Sequence, residues 1–111
     1  MLFRSLHLNR SNHLIAEEIL FEGSLDLSTV DPRKVVDSAL KKKASALILV
    51  HNHPTGLIEA SEGDIELTLT LVKACYLADI PVLDHIIIGR GGFSSMKRDY
   101  PDVFSGDDEV A

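Results

Sequence analysis

The stretch ALILVHNHPTGLIEASEGD, residues 46–64, decides the fold of this chain. Its first five residues form a short apolar run, which is typical of a strand buried on both faces. Pro54 and Gly56 indicate a loop after this strand. Ser61 is a favourable N-cap, and it places Asp64 in the first turn of the next helix, where the helix dipole stabilises a carboxylate. The stretch therefore predicts a buried central strand, a loop and a helix.

The same stretch carries side chains that suit a metal ion. Residues two apart on a strand point to the same side, so His51 and His53 can offer two imidazoles to one ion, and Asp64 can supply an oxygen. This ligand set suits zinc. Three protein ligands leave the fourth tetrahedral position open for a water molecule. Zinc lowers the pKa of such a bound water to ~7. Ser61 is placed to hydrogen-bond an oxyanion that develops beside the metal.

Each of these residues also has a structural interpretation. A His-x-His pair alone is a weak indication of metal, because exposed or hydrogen-bonded histidines are common. Ser61 can serve only as an N-cap, and Asp64 only as a first-turn carboxylate. Their joint position, at the mouth of a buried strand and the start of a helix, favours the metal site.

The flanking sequence predicts an α/β domain with a mixed sheet. Alternating and apolar segments predict strands near 2–8, 13–21, 81–88 and 93–96. Asp31 and Pro32 predict the start of a helix that runs to about residue 43, and a second helix runs from Ser61 to about residue 78. The order β-β-α-β-α-β-β is typical of that class. The expected core-facing residues are Val35, Val36, Ala39 and Leu40 in the first helix and Ile65, Leu69, Val72 and Tyr76 in the second.

Composition limits the classes of partner. The chain has 111 residues, enough for one domain, and a net charge of -6, which argues against a broad phosphate-binding surface. The basic cluster at residues 41–43 fits a helix C-terminus better than a nucleic-acid patch. Direct nucleic-acid binding by this domain is therefore not expected. The sequence has neither a signal pattern nor an apolar run near ~20 residues, so we expect no membrane partner and, by default, a cytoplasmic location.

The remaining chemistry-bearing residues favour structural roles. Cys75, the sole cysteine, lies among apolar residues and is expected to be a buried thiol rather than a nucleophile. Asp84 and His85 are adjacent in an apolar strand, so at most one can face the metal site, where it could orient a ligand. His7 and His13 are expected at the surface.

The residues His51, His53, Ser61 and Asp64 follow the pattern His-x-His-x7-Ser-x2-Asp. This pattern resembles the signature of JAMM (MPN-type) metalloproteases. The longer phrase HNHPTG at 51–56 is similar to the RadC family, in which serine more often stands at the Thr55 position. The RadC resemblance extends over roughly residues 2–100 and includes the segment LDHIIIG at 83–89. It implies a JAMM/MPN-like, cytidine-deaminase-like fold, a mixed curved β-sheet flanked by helices.

By the same resemblance, His51, His53 and Asp64 become zinc ligands and Ser61 the oxyanion stabiliser. Related enzymes hydrolyse peptide or isopeptide bonds, so the implied partner is a protein or peptide substrate. The family's DNA-repair label suggests a DNA-processing partner as the alternative. The resemblance also implies a domain over 1–103, a flexible acidic tail over 104–111, and an N-terminal helical part of the full protein outside this chain.

One departure from the pattern concerns the general base. In RadC-like sequences a glutamate stands two residues before the aromatic residue of the first strand. Here that aromatic is Phe3, and the matching position is Met1. Glu22 is the best substitute, although it fits a strand-end carboxylate better, and Glu17 and Glu18 fit solvated positions. Without a base, metal binding should survive while hydrolysis is weak.

Two functions therefore stay open: a JAMM-class zinc hydrolase, or a non-enzymatic binding module on the same fold. Other classes fail on the sequence. HNH nucleases spread their named residues along a motif, so the tripeptide HNH at 51–53 is a spurious match. A zinc deaminase needs Pro-Cys-x-x-Cys, which one cysteine does not supply. An amidohydrolase barrel needs ~200 residues or more. Substrate and oligomeric state are not determined by the sequence.

Overall fold

Five strands and three helices make up the computed structural model, which describes residues 1–23 and 29–106. Asp31 caps the first helix by accepting a hydrogen bond from the backbone N–H of Arg33, and Pro32 occupies the first helical position. The predicted order of strands and longer helices is confirmed. In chain order the elements are β1 (Leu2–Leu8), β2 (Leu14–Glu22), α1 (Pro32–Lys41), β3 (Ala46–Asn52), α2 (Glu62–Leu77), β4 (Val82–Gly89), β5 (Gly92–Ser95) and α3 (Met96–Asp99), followed by a 3-10 turn (Pro101–Phe104).

The strands form one mixed sheet in the order β2-β1-β3-β4-β5. The central pair β3–β4 is parallel and is joined through α2, whereas the other three pairs are antiparallel. A parallel pair needs a crossover connection, and a crossover helix returns the chain across one sheet face. The C-terminal end of β3 therefore lies near the start of α2. Phe3 of β1 pairs with His51 of β3, which brings the start of β1 to the same end of the sheet.

The core lies between one face of the sheet and the helices α1 and α2. Among the described helices, none has the length and apolarity needed to cross a bilayer. The core cluster consists of Phe3, Val30, Val35, Ala39, Leu47, Leu49, Leu71, Val72, Cys75, Ile80 and Val82. The predicted α/β class with a mixed sheet flanked by helices is thus confirmed.

The two helices differ from their predicted faces. Val35 and Ala39 of α1 are buried as expected, but Leu40 is 57% exposed. In α2, Leu69 and Tyr76 are exposed, while Asp64 and Thr68 are buried. The apolar residues of α2 surround the helix, so their spacing did not define the inner face. That face carries Asp64 and Thr68 as well as Leu71, Val72 and Cys75.

His7 is fully buried, which corrects the prediction of a surface position. Strand alternation turns Phe3, Ser5 and His7 to the same inner face of β1. The His7 ring lies 3.3 Å from the carbonyl oxygen of Ala16 and 3.3 Å from the hydroxyls of Ser5 and Ser38. These partners satisfy a polar ring that the interior would otherwise penalise. His13 is exposed, as predicted.

Residue 104 is more structured than the sequence indicates. We predict a flexible tail over 104–111, but Phe104 ends the 3-10 turn, in which Val103 is buried, and packs against the core. Residues 107–111, which form most of the predicted acidic tail, lie outside the described residues.

The buried thiol of Cys75 yields a first prediction. Burial raises the pKa of Cys75 to about 11. Because only the thiolate is reactive, native protein at about pH 8 should not react with DTNB, whereas protein unfolded in guanidinium chloride, with a thiol pKa of ~8.5, should react fully. Fast reaction of the native protein would show that the α2–sheet contact opens or that Cys75 is not in the core.

Candidate metal centre

His51, His53 and Asp64 converge where β3 ends and α2 begins. One potential ligand atom from each residue lies within 4.8 Å of the others. His51 is the next-to-last residue of β3, and the backbone N–H of His53 donates to the carbonyl of Ile88, at 2.9 Å, so the chain continues alongside β4. Both imidazoles therefore share the inner face of the sheet, as the two-residue spacing predicts. The structure thus brings all three sequence-predicted ligands together.

Asp64 is held in place by the N-terminal turn of α2. The backbone N–H of Asp64 donates to Ser61 Oγ at 3.0 Å, and the backbone N–H of Ser61 donates to Asp64 Oδ2 at 2.8 Å. This reciprocal pair is a capping box, which satisfies two backbone donors that the helix itself leaves free. Ser61 therefore does act as an N-cap, and its cap fixes the position of the Asp64 carboxylate.

Two buried polar atoms in the described part of the chain have no hydrogen-bond partner, and both belong to this cluster. They are His51 Nε2 and Asp64 Oδ1. The two atoms are 3.3 Å apart, and both residues are about 1% exposed. Buried polar groups are nearly always satisfied, so an orphaned pair of this kind needs a partner. An imidazole nitrogen and a carboxylate oxygen are both metal ligands, and a cation between them would satisfy both.

His53 is oriented by the loop that follows it. Its Nδ1 lies 3.0 Å from the carbonyl oxygen of Leu57, and its Nε2 lies 2.8 Å from Asp64 Oδ2. A carbonyl oxygen only accepts, so Nδ1 donates to it, while Nε2 faces the Asp64 carboxylate. The loop reaches this position because it packs on the end of β4: the N–H of Arg90 donates to the carbonyl of Gly56, and Ser94 donates to the carbonyl of Ile58.

His85 is a site residue that the sequence left undecided. It is fully buried, and its Nε2 lies 2.7 Å from His51 Nδ1. Its Nδ1 lies 2.7 Å from Thr68 Oγ1. Burial lowers the pKa of His85 to about 3, so the ring is neutral. The adjacent Asp84 points the other way and accepts from Ser95 Oγ and the N–H of Lys97, which is a structural role.

Thr68 and Phe3 also belong to the site and were missed as site residues. Thr68 follows Asp64 by one helical turn and lies on the buried face of α2. Phe3 stacks on the His51 ring, with centroids 5.8 Å apart, and meets His85 edge-on at 5.4 Å. The spacing of Thr68 from Asp64 was the one signal available for Thr68, while the partner of Phe3 depends on strand pairing.

The electrostatics of the cluster keep Asp64 ionised. Burial would raise the pKa of Asp64, but its contact with His51 and the N–H of Ser61 outweigh burial and lower that pKa. The carboxylate therefore stays negative at neutral pH, as a metal ligand must.

Glu22 lies on the opposite face of the sheet from His51, so it does not stand where a substitute base is expected. It pairs with Leu2, whereas the neighbouring residue Phe3 pairs with His51. Adjacent residues of a strand point to opposite faces, so Glu22 points away from His51. By the same alternation, Met1 shares the face of Phe3 and His51. Position 1 is therefore on the metal side of the sheet.

A mixed sheet of this topology, with two histidines and an aspartate at the end of its parallel pair, defines an α/β domain of the JAB/MPN-like class that could hold a metal ion. A sequence profile of the RadC-like JAB domain matches residues 2–100, and the chain belongs to this family.

Curated relatives agree with this assignment. A UPF0758 protein of Vibrio parahaemolyticus is 49% identical, over 80% of this chain and 40% of the relative. A UPF0758 protein of Haemophilus ducreyi is 40% identical, over 87% of this chain and 44% of the relative. A UPF0758 protein of Cellvibrio japonicus is 47% identical, over 86% and 43%. The chain thus spans about two fifths of the length of these relatives.

The seating of the loop on β4 yields a second prediction. A Cβ added at Gly89 would lie 2.4 Å from the carbonyl oxygen of Gly56 and 2.9 Å from that of Leu57. Gly89→Ala should therefore displace the loop, release His53, weaken metal binding and lower the free energy of unfolding by ~1–3 kcal/mol, as overpacking does.

Gly92→Ala is the matched control, because a Cβ there meets nothing within 4 Å. Denaturant unfolding and metal titration of both variants are the measurements. Equal metal affinity in the two variants would mean that the loop does not hold His53.

Proposed function

We propose that this domain is a zinc-dependent hydrolase of the JAMM class that acts on peptide or isopeptide bonds. The observation that carries the proposal is the pair of buried, unpartnered atoms, His51 Nε2 and Asp64 Oδ1, facing each other beside His53. Membership of the RadC-like JAB family supports the same reaction class. The family resemblance is an argument by analogy, whereas the orphaned atoms are a property of this chain.

The ligand set favours zinc among divalent ions. Two neutral imidazoles and one carboxylate are typical of catalytic zinc sites, whereas magnesium and calcium prefer all-oxygen ligands. The candidate ligand atoms of these three residues all lie within 4.8 Å of one another, so one ion would be within reach of all three.

Each residue of the site has its own role in the proposed reaction. His51, His53 and Asp64 hold the ion, which when bound supplies Lewis-acid chemistry for activating water near neutral pH and polarising a carbonyl. Ser61 is exposed, and its Oγ accepts from the N–H of Asp64. Its O–H can therefore still donate a hydrogen bond to a substrate oxygen that becomes negative, which is the role of an oxyanion stabiliser.

A second candidate, a non-enzymatic module that binds a protein partner, is favoured by one observation. Position 1, where RadC-like sequences carry the general base, holds methionine, and Glu22 points to the opposite face of the sheet. Loss of a general base lowers hydrolysis by about 10²–10⁴-fold while leaving ligand atoms in place.

Metal analysis tests the zinc site. Purified protein should contain about one zinc per chain, and His53→Ala should lose it, because two remaining ligands hold zinc poorly. His13→Ala is the control, since His13 is exposed on the turn before β2. Zinc content by plasma emission spectrometry and affinity by competition with a chromophoric chelator give the result. Full zinc retention in His53→Ala would reject the ligand assignment.

A glutamate at position 1 tests the reaction. The variant Met1→Glu, made behind a short leader, should raise cleavage of a pool of quenched fluorescent peptides and isopeptide-linked peptides by ~10²-fold or more. The parent chain and Met1→Gln, each with the same leader, are the controls, because glutamine has the shape of glutamate without its basicity. Zinc bound equally in all three, with no gain for glutamate, would favour the binding module.

A further inference from the structure

We propose that Thr68 and His85 form a hydrogen-bond relay that fixes the tautomer of His51 and so presents the lone pair of its Nε2 to the metal. The relay concerns positioning residues, neither of which is among the three ligands. Its effect on metal affinity rests on the proposed zinc site, but the tautomer itself is a property of the metal-free chain.

The relay consists of three short contacts in series. Thr68 Oγ1 lies 2.6 Å from the backbone carbonyl oxygen of Asp64, one turn earlier in α2. His85 Nδ1 lies 2.7 Å from Thr68 Oγ1, and His51 Nδ1 lies 2.7 Å from His85 Nε2. All of these side chains are fully or almost fully buried. Each contact therefore needs one proton between its two heavy atoms, and no solvent is at hand to replace it.

The first contact sets the direction of the other two. A carbonyl oxygen has no proton, so two oxygens 2.6 Å apart require the Thr68 hydroxyl to donate to Asp64. With its proton committed, Thr68 Oγ1 can only accept from His85, so His85 carries its proton on Nδ1. A neutral imidazole has one N–H, which leaves His85 Nε2 as an acceptor. His51 must then donate through Nδ1, and its Nε2 keeps a free lone pair.

The reverse direction is unfavourable at Thr68. If Thr68 donated to His85, the oxygens of Thr68 and Asp64 would face each other at 2.6 Å without a proton. His51 would then carry its proton on Nε2, 3.3 Å from Asp64 Oδ1, and a protonated nitrogen is not a ligand.

The relay also ties together two of the three ligands. Its last acceptor is the backbone carbonyl of Asp64, whose side chain is itself a ligand, and its first donor is His51. It therefore links β3, β4 and α2. His53 has no such relay, because its Nδ1 donates directly to the carbonyl of Leu57.

Nitrogen-15 NMR of the metal-free full chain tests the tautomer directly. Long-range proton–nitrogen correlations should show His51 protonated on Nδ1 and bare on Nε2, and His85 protonated on Nδ1. Protonation of either ring on Nε2 would overturn the proposal. This readout needs neither zinc nor any variant, and a merely space-filling role for Thr68 would not predict it.

Substitution at Thr68 tests the consequence. Thr68→Val keeps the shape but removes the hydroxyl, and should lower zinc affinity ~10–100-fold, the usual effect of losing a partner behind a histidine ligand. Thr68→Ser restores the hydroxyl and should restore affinity. Thr70→Val is the matched control, because Thr70 makes the same kind of contact, to the carbonyl of Glu66 at 3.1 Å, on the exposed side of α2.

The outcomes separate this proposal from the zinc proposal. If the parent chain shows the expected tautomers but binds no zinc, the relay stands and the zinc site fails. If the parent chain binds zinc and Thr68→Val, Thr68→Ser and Thr70→Val all bind it equally well, the relay has no role in metal binding and is overturned. If Thr68→Val does not fold, the NMR result on the parent chain decides.

Discussion

The structure depends on satisfying a group of polar side chains buried at the end of β3. His51, Asp64, Thr68 and His85 are all within 1% of complete burial. Burial of such groups without partners costs free energy that a small domain does not have in surplus. Within the described residues, each buried polar atom of this group has a partner except the two that face each other across 3.3 Å. A cation held by His51, His53 and Asp64 would supply that partner.

This requirement explains features of the fold that packing alone does not. The helix α2 turns Asp64 and Thr68 inward beside the buried Leu71, Val72 and Cys75, and leaves Leu69 and Leu77 exposed, so its inner face is partly polar. Gly89 is the residue that lets the 54–60 loop lie against β4, because a side chain there would collide with the carbonyl of Gly56. The loop in turn supplies the carbonyl that orients His53. The packing and backbone preferences of the local sequence are overridden where they conflict with the geometry of the site, as is common at functional positions.

The sequence predicted what local rules determine. The element order follows from the apolar run before His51 and from the caps at Asp31 and Ser61. The cluster of candidate ligands follows from the two-residue spacing of the histidines and from the position of Asp64. It did not predict contacts between distant segments. His7 is buried because α1 places Ser38 beside it, and His85 reaches His51 because β4 pairs in parallel with β3. Pairing register and helix rotation decide such contacts, and neither is encoded in a short window of residues.

The candidate metal ligands lie on other elements of the fold than position 1, where the proposed general base would stand. The ligands and the residues that orient them come from β3, α2, β4 and the 54–60 loop, and their hydrogen bonds close on one another. Position 1 precedes β1, whose residue Phe3 contacts the rings of His51 and His85. A change at position 1 therefore removes no hydrogen bond from the ligands. The geometry of the candidate metal site is therefore independent of the side chain at position 1, and the two proposed functions, hydrolysis and metal-dependent binding, would differ by that side chain rather than by the fold.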